Sequence, residues 1–221
     1  MLNLDIQRFE EMGYNEGLIH SLINNEQSAY DQIMSALGDK MTEMASAIAG
    51  LWYAGNAVRF FNEFLKPVVD DTANVTTQQF QNIVDTVNSA GQGWANTTEN
   101  SYGPVSFAPS GKQVDVSSVR EADGNGSSYM TKGTTSDTFN TKLNEVTQIV
   151  SDALETAKSA ASNSGFLSSQ NEGTLQQSLA TISNKFNEMM SNIRTEFNTA
   201  MNAKEDQYKA TETSVNESMS L

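Results

Sequence analysis

Hydrophobic positions in this chain fall into four long stripes of helical period, separated by polar breaks. The first runs Tyr30, Met34, Leu37, Met41, Met44, Ile48, Leu51, with spacings of four and three in strict alternation. That is the pattern of a helix with one narrow buried seam. Asn24 with Gln27 reads as a capping pair, so the helix is predicted from Asn25 to Leu51, about 40 Å at the standard rise. Trp52 is then placed to cover the open end of the seam, as core and end-plug rather than ligand platform. Gly55 can take the positive φ that reverses a chain. The returning stripe is Val58, Phe61, Leu65 and Val68. Pro67 and the polar run 70–74 predict a kink or break. Thr76 with Gln79 reads as a fresh capping box, after which Phe80, Ile83, Val87, Ala90 and Trp94 resume the stripe.

A second pair follows. Phe139, Leu143, Val146, Val150, Ala153, Ala157 and Ala160 reproduce the alternation of the first helix position for position, by structural repeat or by convergence on a heptad. Asn163-Ser164-Gly165 ends this helix. Leu175, Leu179, Ile182, Phe186, Met189 and Ile193 return, and the stripe shifts by one position to Phe197, Met201 and Tyr208. Beyond Tyr208 the polar tail is expected to fray. Between the pairs, 101–137 loses periodicity and gathers Gly, Ser, Thr and Asn. Val105-Ser106-Phe107 and Val114-Asp115-Val116 alternate there, which predicts a small β-hairpin turned at Pro109-Ser110-Gly111.

The chain therefore divides into a leader (1–24), a helical hairpin (25–100), a linker (101–137) and a second hairpin with a polar tail (138–221). The expected fold is all-α: two long helical hairpins forming an antiparallel four-helix bundle, or a coiled-coil-like assembly in which each seam meets a copy from another subunit. The residues that would form this interaction seam are Tyr30, Met34, Leu37, Met41, Met44, Ile48, Leu51, Phe139, Leu143, Val146 and Val150. Methionines at 34, 41, 44, 189, 190 and 201 tolerate imperfect packing in either arrangement.

Charge narrows the function. The 221 residues carry 13 Lys plus Arg against 27 Asp plus Glu, a net of −14. A surface that acidic repels phosphate backbones, which argues against nucleic-acid and anionic-membrane partners. No apolar run approaches the ~20 residues that span a bilayer. Without Cys there is no disulfide framework or thiolate metal site, and the single His20, read as a packed or surface imidazole, cannot make a His-pair zinc motif. Asp123-Gly124-Asn125-Gly126-Ser127 has oxygen ligands at alternate positions, as a calcium loop would. It lacks the expected sixth glycine, where Ser128 stands, and the twelfth carboxylate, where Thr134 stands. Catalysis needs a nucleophile beside a base, or paired groups with separated pKa values. Neither Asp70-Asp71 in the polar run nor the scattered Ser and Thr supplies one. The expectation is a non-enzyme with no cofactor and protein partners only.

Two resemblances bear on setting. The opening Leu2-Asn3-Leu4-Asp5-Ile6-Gln7-Arg8-Phe9 resembles the start of structural proteins from phages of Gram-positive hosts. It implies a virion component, associated with capsid, neck or tail, that binds copies of itself or other virion proteins. Trp52, Gly55, Ala57, Val58 and Phe61 resemble the Trp-X-Gly family of helical hairpins exported by type VII secretion, with two residues between Trp and Gly where that family has one. That resemblance implies an export signal of Tyr followed four positions later by an acid, a form that Tyr208 and Glu212 match, and an extracellular location reached without a cleaved signal peptide.

Overall fold

The computed structural model describes residues 15–219 and is all-α, with helical-bundle-like organisation and one minimal β-ladder. The helix α1 (Glu16–Ser35), a π-helical turn π1 (Ala36–Lys40) and α2 (Met41–Ala49) make one unbroken stretch. Strand β1 (Trp52–Tyr53) leads to α3 (Gly55–Arg59), a second π turn π2 (Phe60–Leu65) and α4 (Lys66–Thr97). The linker ends in β2 (Tyr129–Met130), followed by α5 (Lys132–Ser162) and α6 (Ser169–Met219). The opening Leu2–Phe9 and its phage-like pattern lie outside the described residues.

Chain contacts divide the molecule into two units. Unit 1 takes the described part of Met1–Ser35 with Ala73–Gly111 and Gln148–Lys185. Unit 2 takes Ala36–Thr72, Lys112–Thr147 and the described part of Phe186–Leu221. Each unit thus holds four helical segments and its own length of linker. The first helical stretch leaves unit 1 for unit 2 and the second returns, but α5 starts in unit 2 because the linker carries the chain across first. Tyr30 consequently belongs to unit 1 and Phe139 to unit 2. The matched stripes therefore begin in different units, and α5 has no π turn to correspond to π1.

The first helix begins at Glu16, nine residues before the predicted start, and Asn24 and Gln27 lie inside it. The predicted break after Pro67 is absent: Pro67 is the second residue of α4, which runs on through 70–74. The threonine hydroxyls are accommodated within the continuous helix. Thr72 and Thr77 donate their hydroxyls to the carbonyls of Val68 and Ala73, 2.9 Å each, so the polar stretch satisfies itself within the helix. The stripe on this helix is Ala57, Phe61, Leu65, Val69, with Val68 only half buried. Three successive fours are what an inserted π residue produces.

Gly55 is the first residue of α3, entered from an extended Ala54 (φ −167°, ψ 154°), and does not reverse the chain by a positive φ. Among the described residues positive φ falls at Glu99, Gly126 and Gly165. The Cys-free linker contains no strand over 105–116, and the small β element expected there is instead an antiparallel ladder between the turn and the linker's end, Trp52 opposite Met130 and Tyr53 opposite Tyr129. Residues beyond Tyr208 stay helical to Met219, with Thr211 and Thr213 hydroxyls donating to carbonyls four residues back and a Lys209–Glu205 ion pair at 2.9 Å.

Candidate functional site

The seam is closed within the single chain. Tyr30, Met34, Leu37, Met41, Met44, Ile48, Phe139, Leu143, Val146 and Val150 are all buried to 2% exposure or less. Leu51 is half buried, and its contribution is its carbonyl, which accepts from the Thr131 N–H at 2.9 Å. The seam itself therefore presents no open surface.

In unit 1 the linker is laid over α1 and α4 by side chains alone. The Asn88 carboxamide accepts from the Val105 N–H at 3.0 Å and donates to the Val105 carbonyl at 2.8 Å, and its Oδ1 also accepts from the Tyr102 hydroxyl at 2.7 Å. Gln27 treats Ala108 the same way, at 3.0 and 2.9 Å. Each amide thereby imitates one rung of a β-ladder, and a segment with no strand partner still has its backbone satisfied. Gly103 donates to Glu16 Oε1 and accepts from His20 Nε2, both 2.8 Å. Thr77 already donates to Ala73, so the Tyr30 hydroxyl donates to Thr77 Oγ1 at 3.1 Å and accepts from the Ser110 N–H at 2.8 Å. Beneath this layer Gly91 leaves room for the Tyr102 ring, since a Cβ at 91 would lie 2.7 Å from it.

Unit 1 also contains the residue that sequence reasoning missed. Glu26 is fully buried, and neither carboxyl oxygen has a hydrogen-bond partner. Desolvation pushes its pKa up to about 8, so it sits in the core as a neutral acid at and below pH 7. The signal was present in the stripe Ile19, Ile23, Glu26, Tyr30, Ile33, where one acid replaces an apolar residue. Reading Asn24 as a cap hid it.

Unit 2 is organised around Trp52, buried with its ring 5.9 Å from Phe197 edge-on and 6.4 Å from Phe60. Phe139 and Phe197 stack at 3.6 Å between centroids, and Phe60 meets both edge-on. The expectation of Trp52 as core and end-plug fits this placement. The turn is fastened to the linker and to α6. Ser128 donates its hydroxyl to the Tyr53 carbonyl at 2.8 Å, while its own carbonyl accepts from Tyr208 at 3.1 Å. Tyr53 and Tyr129 rings lie 5.1 Å apart, Asn56 donates to the Ala200 carbonyl at 2.7 Å, and the Lys204 ammonium sits 4.5 Å over the Tyr208 ring. Glu205 pairs with Lys132 and Lys209, and their hydrogen bonds hold its carboxyl down to about 2.

Trp52 and Tyr208 are thus brought to one place, linked through Tyr53 and Ser128. Glu212, one turn further on, is exposed and takes no part. The loop at Asp123 uses its carboxylate on itself: Oδ1 accepts from the Asn125 and Ser127 N–H groups at 2.9 and 2.8 Å, the geometry of an Asx turn. Among the described residues no group of three His, Asp or Glu is arranged to hold a metal ion, and no helix is long and apolar enough to cross a membrane. The chain matches no known family model, no curated protein and no solved structure.

Proposed function

We propose that this protein is a non-catalytic structural component of a phage particle, associated with capsid, neck or tail, that binds copies of itself or other virion proteins. The observation that carries this reading is the end of α6. From Lys209 to Met219 the helix is exposed on every side, with Val215 at 48% and Met219 at 80% exposure. A helix open all round gains no stability from packing within its own chain and is suited to be gripped by a neighbour. The phage-like opening residues and the acidic exterior support the same reading, and the acidity argues against nucleic acid and membrane as the partner. Mass spectrometry of purified particles tests it: the chain is expected among the virion proteins, and its absence overturns the assignment.

One observation favours a second reading. Tyr208 and Glu212 stand one turn apart on a helix, in the form of a type VII export signal. Under that reading the protein leaves the cell, and Tyr208→Ala abolishes its appearance in culture medium while leaving its cellular level unchanged. Unaltered export of that variant removes the second reading.

A further inference from the structure

We propose that unit 1 is a pH-sensitive latch, in which Glu26, sealed in the core with no partner for either oxygen, permits closure of α1 only as the neutral acid. Its ionisation loosens α1 together with the linker segment that α1 holds. The inference is independent of the virion reading, because it rests on the core of unit 1 alone.

Two features of the geometry carry it. The first is the isolation of the carboxyl: a buried polar group without a partner costs free energy, and a buried charge without one costs far more. The second is its position. Glu26 lies on α1 between the residues that fasten the linker, with Glu16 and His20 before it on Gly103, and Gln27 and Tyr30 after it on Ala108 and Ser110. Any movement of α1 that lets water reach Glu26 also disturbs those fastenings.

Among the described residues of unit 1, no buried cation is available to neutralise the ionised form. On α1 itself, Glu16 and His20 are half buried and Asp31 is exposed. On the other helical segments of unit 1 the charged groups are Asp85, Asp152, Glu155, Lys158, Glu172 and Lys185, none of them buried. Desolvation is the whole cause of the displaced pKa of Glu26, with no charge contributing in either direction.

The sign follows. With a folded pKa of about 8 against an ordinary 4.5, the closed state holds a proton that the opened state releases. Closure is therefore unpenalised below about pH 4.5, weakens steadily as pH rises, and is weakest above about pH 8. Hydrogen exchange followed by mass spectrometry, corrected for the intrinsic effect of pH, reads this locally. Between about pH 5 and about pH 9 protection of 16–35 and 101–111 should fall by roughly several hundred-fold. Segments of the Trp52 cluster serve as the internal reference. Glu26→Gln should flatten the dependence, and Glu26→Leu, which removes the polar group altogether, gives the same readout should the Gln variant fold poorly. Equal pH dependence in wild type and variants overturns the proposal, as does wild-type protection that is unchanged across this range.

Discussion

The two units hold the same linker by different mixtures of apolar and directional contact. In unit 1 the segment 102–110 is half exposed and is fixed by directional bonds from Asn88, Gln27, Tyr30, Glu16 and His20. In unit 2 Val114, Val116 and Val119 are buried, and the linker finishes as a backbone ladder against the turn. The cores differ in the same sense. Unit 1 encloses an unpaired acid, whereas unit 2 encloses stacked aromatic rings. Apolar burial is indifferent to pH and to the loss of one hydrogen bond, while a polar hold answers to both. Unit 1 is accordingly the part whose closure answers to the titration of Glu26, and the ring cluster is expected to be the anchor of unit 2.

The largest expected effect tests the second half of that statement. Phe197 touches Trp52, Phe60 and Phe139, so Phe197→Ala empties the middle of the cluster and should cost about 3–5 kcal/mol in denaturant unfolding. A loss under about 1 kcal/mol would mean that the rings are not the anchor and that the contrast between units is false.

Next come two substitutions in unit 1. Asn88→Ala removes the bonds to Tyr102 and to both polar groups of Val105, an expected cost of about 1–3 kcal/mol. Exchange protection should fall at 101–111 and remain at 112–119, where valine burial persists. Uniform loss along the linker would show that its two lengths are released together. Gly91→Ala drives a methyl into the Tyr102 ring, which is tethered to Asn88 and cannot easily retreat. An overpacking cost of about 1–3 kcal/mol is expected. The double variant with Asn88→Ala should cost less than the sum, because the freed ring can move.

These residues also show how far the sequence could be read. The stripes were legible because burial on a helix imposes a period, and every seam residue but Leu51 is buried where the period put it. Two kinds of information were not. A π turn inserts one residue without leaving the helix, so Phe60–Leu65 looks like ordinary heptad drift unless the run of fours at 57, 61, 65 and 69 is noticed. Polar residues gave the wrong sign twice. Thr72, in the run that looked like a break, bonds back to its own helix, and Asn24, read as a cap, drew attention away from Glu26, which faces the core. The linker's alternation at Val114 and Val116 did report burial, yet not the ladder it suggested. Its fastening in unit 1 depends on amides distant in sequence, which no local pattern records.

Gly55 gives the smallest effect and separates two accounts of the turn. A turn built on the special backbone freedom of glycine would make any side chain at 55 costly. Here Gly55 begins a helix after an extended Ala54, and a Cβ would find only Glu121 Oε1 at 3.8 Å, an ordinary contact. Alanine is the better helix former and restricts the unfolded chain, so Gly55→Ala should be neutral or stabilising by up to about 0.5 kcal/mol in denaturant unfolding. The reversal is performed instead by the β1–β2 ladder, by Ser128 on Tyr53 and by Asn56 on Ala200, all of which the substitution leaves intact. A loss above about 1 kcal/mol would return the turn to glycine and remove the argument that the linker's end is what holds it.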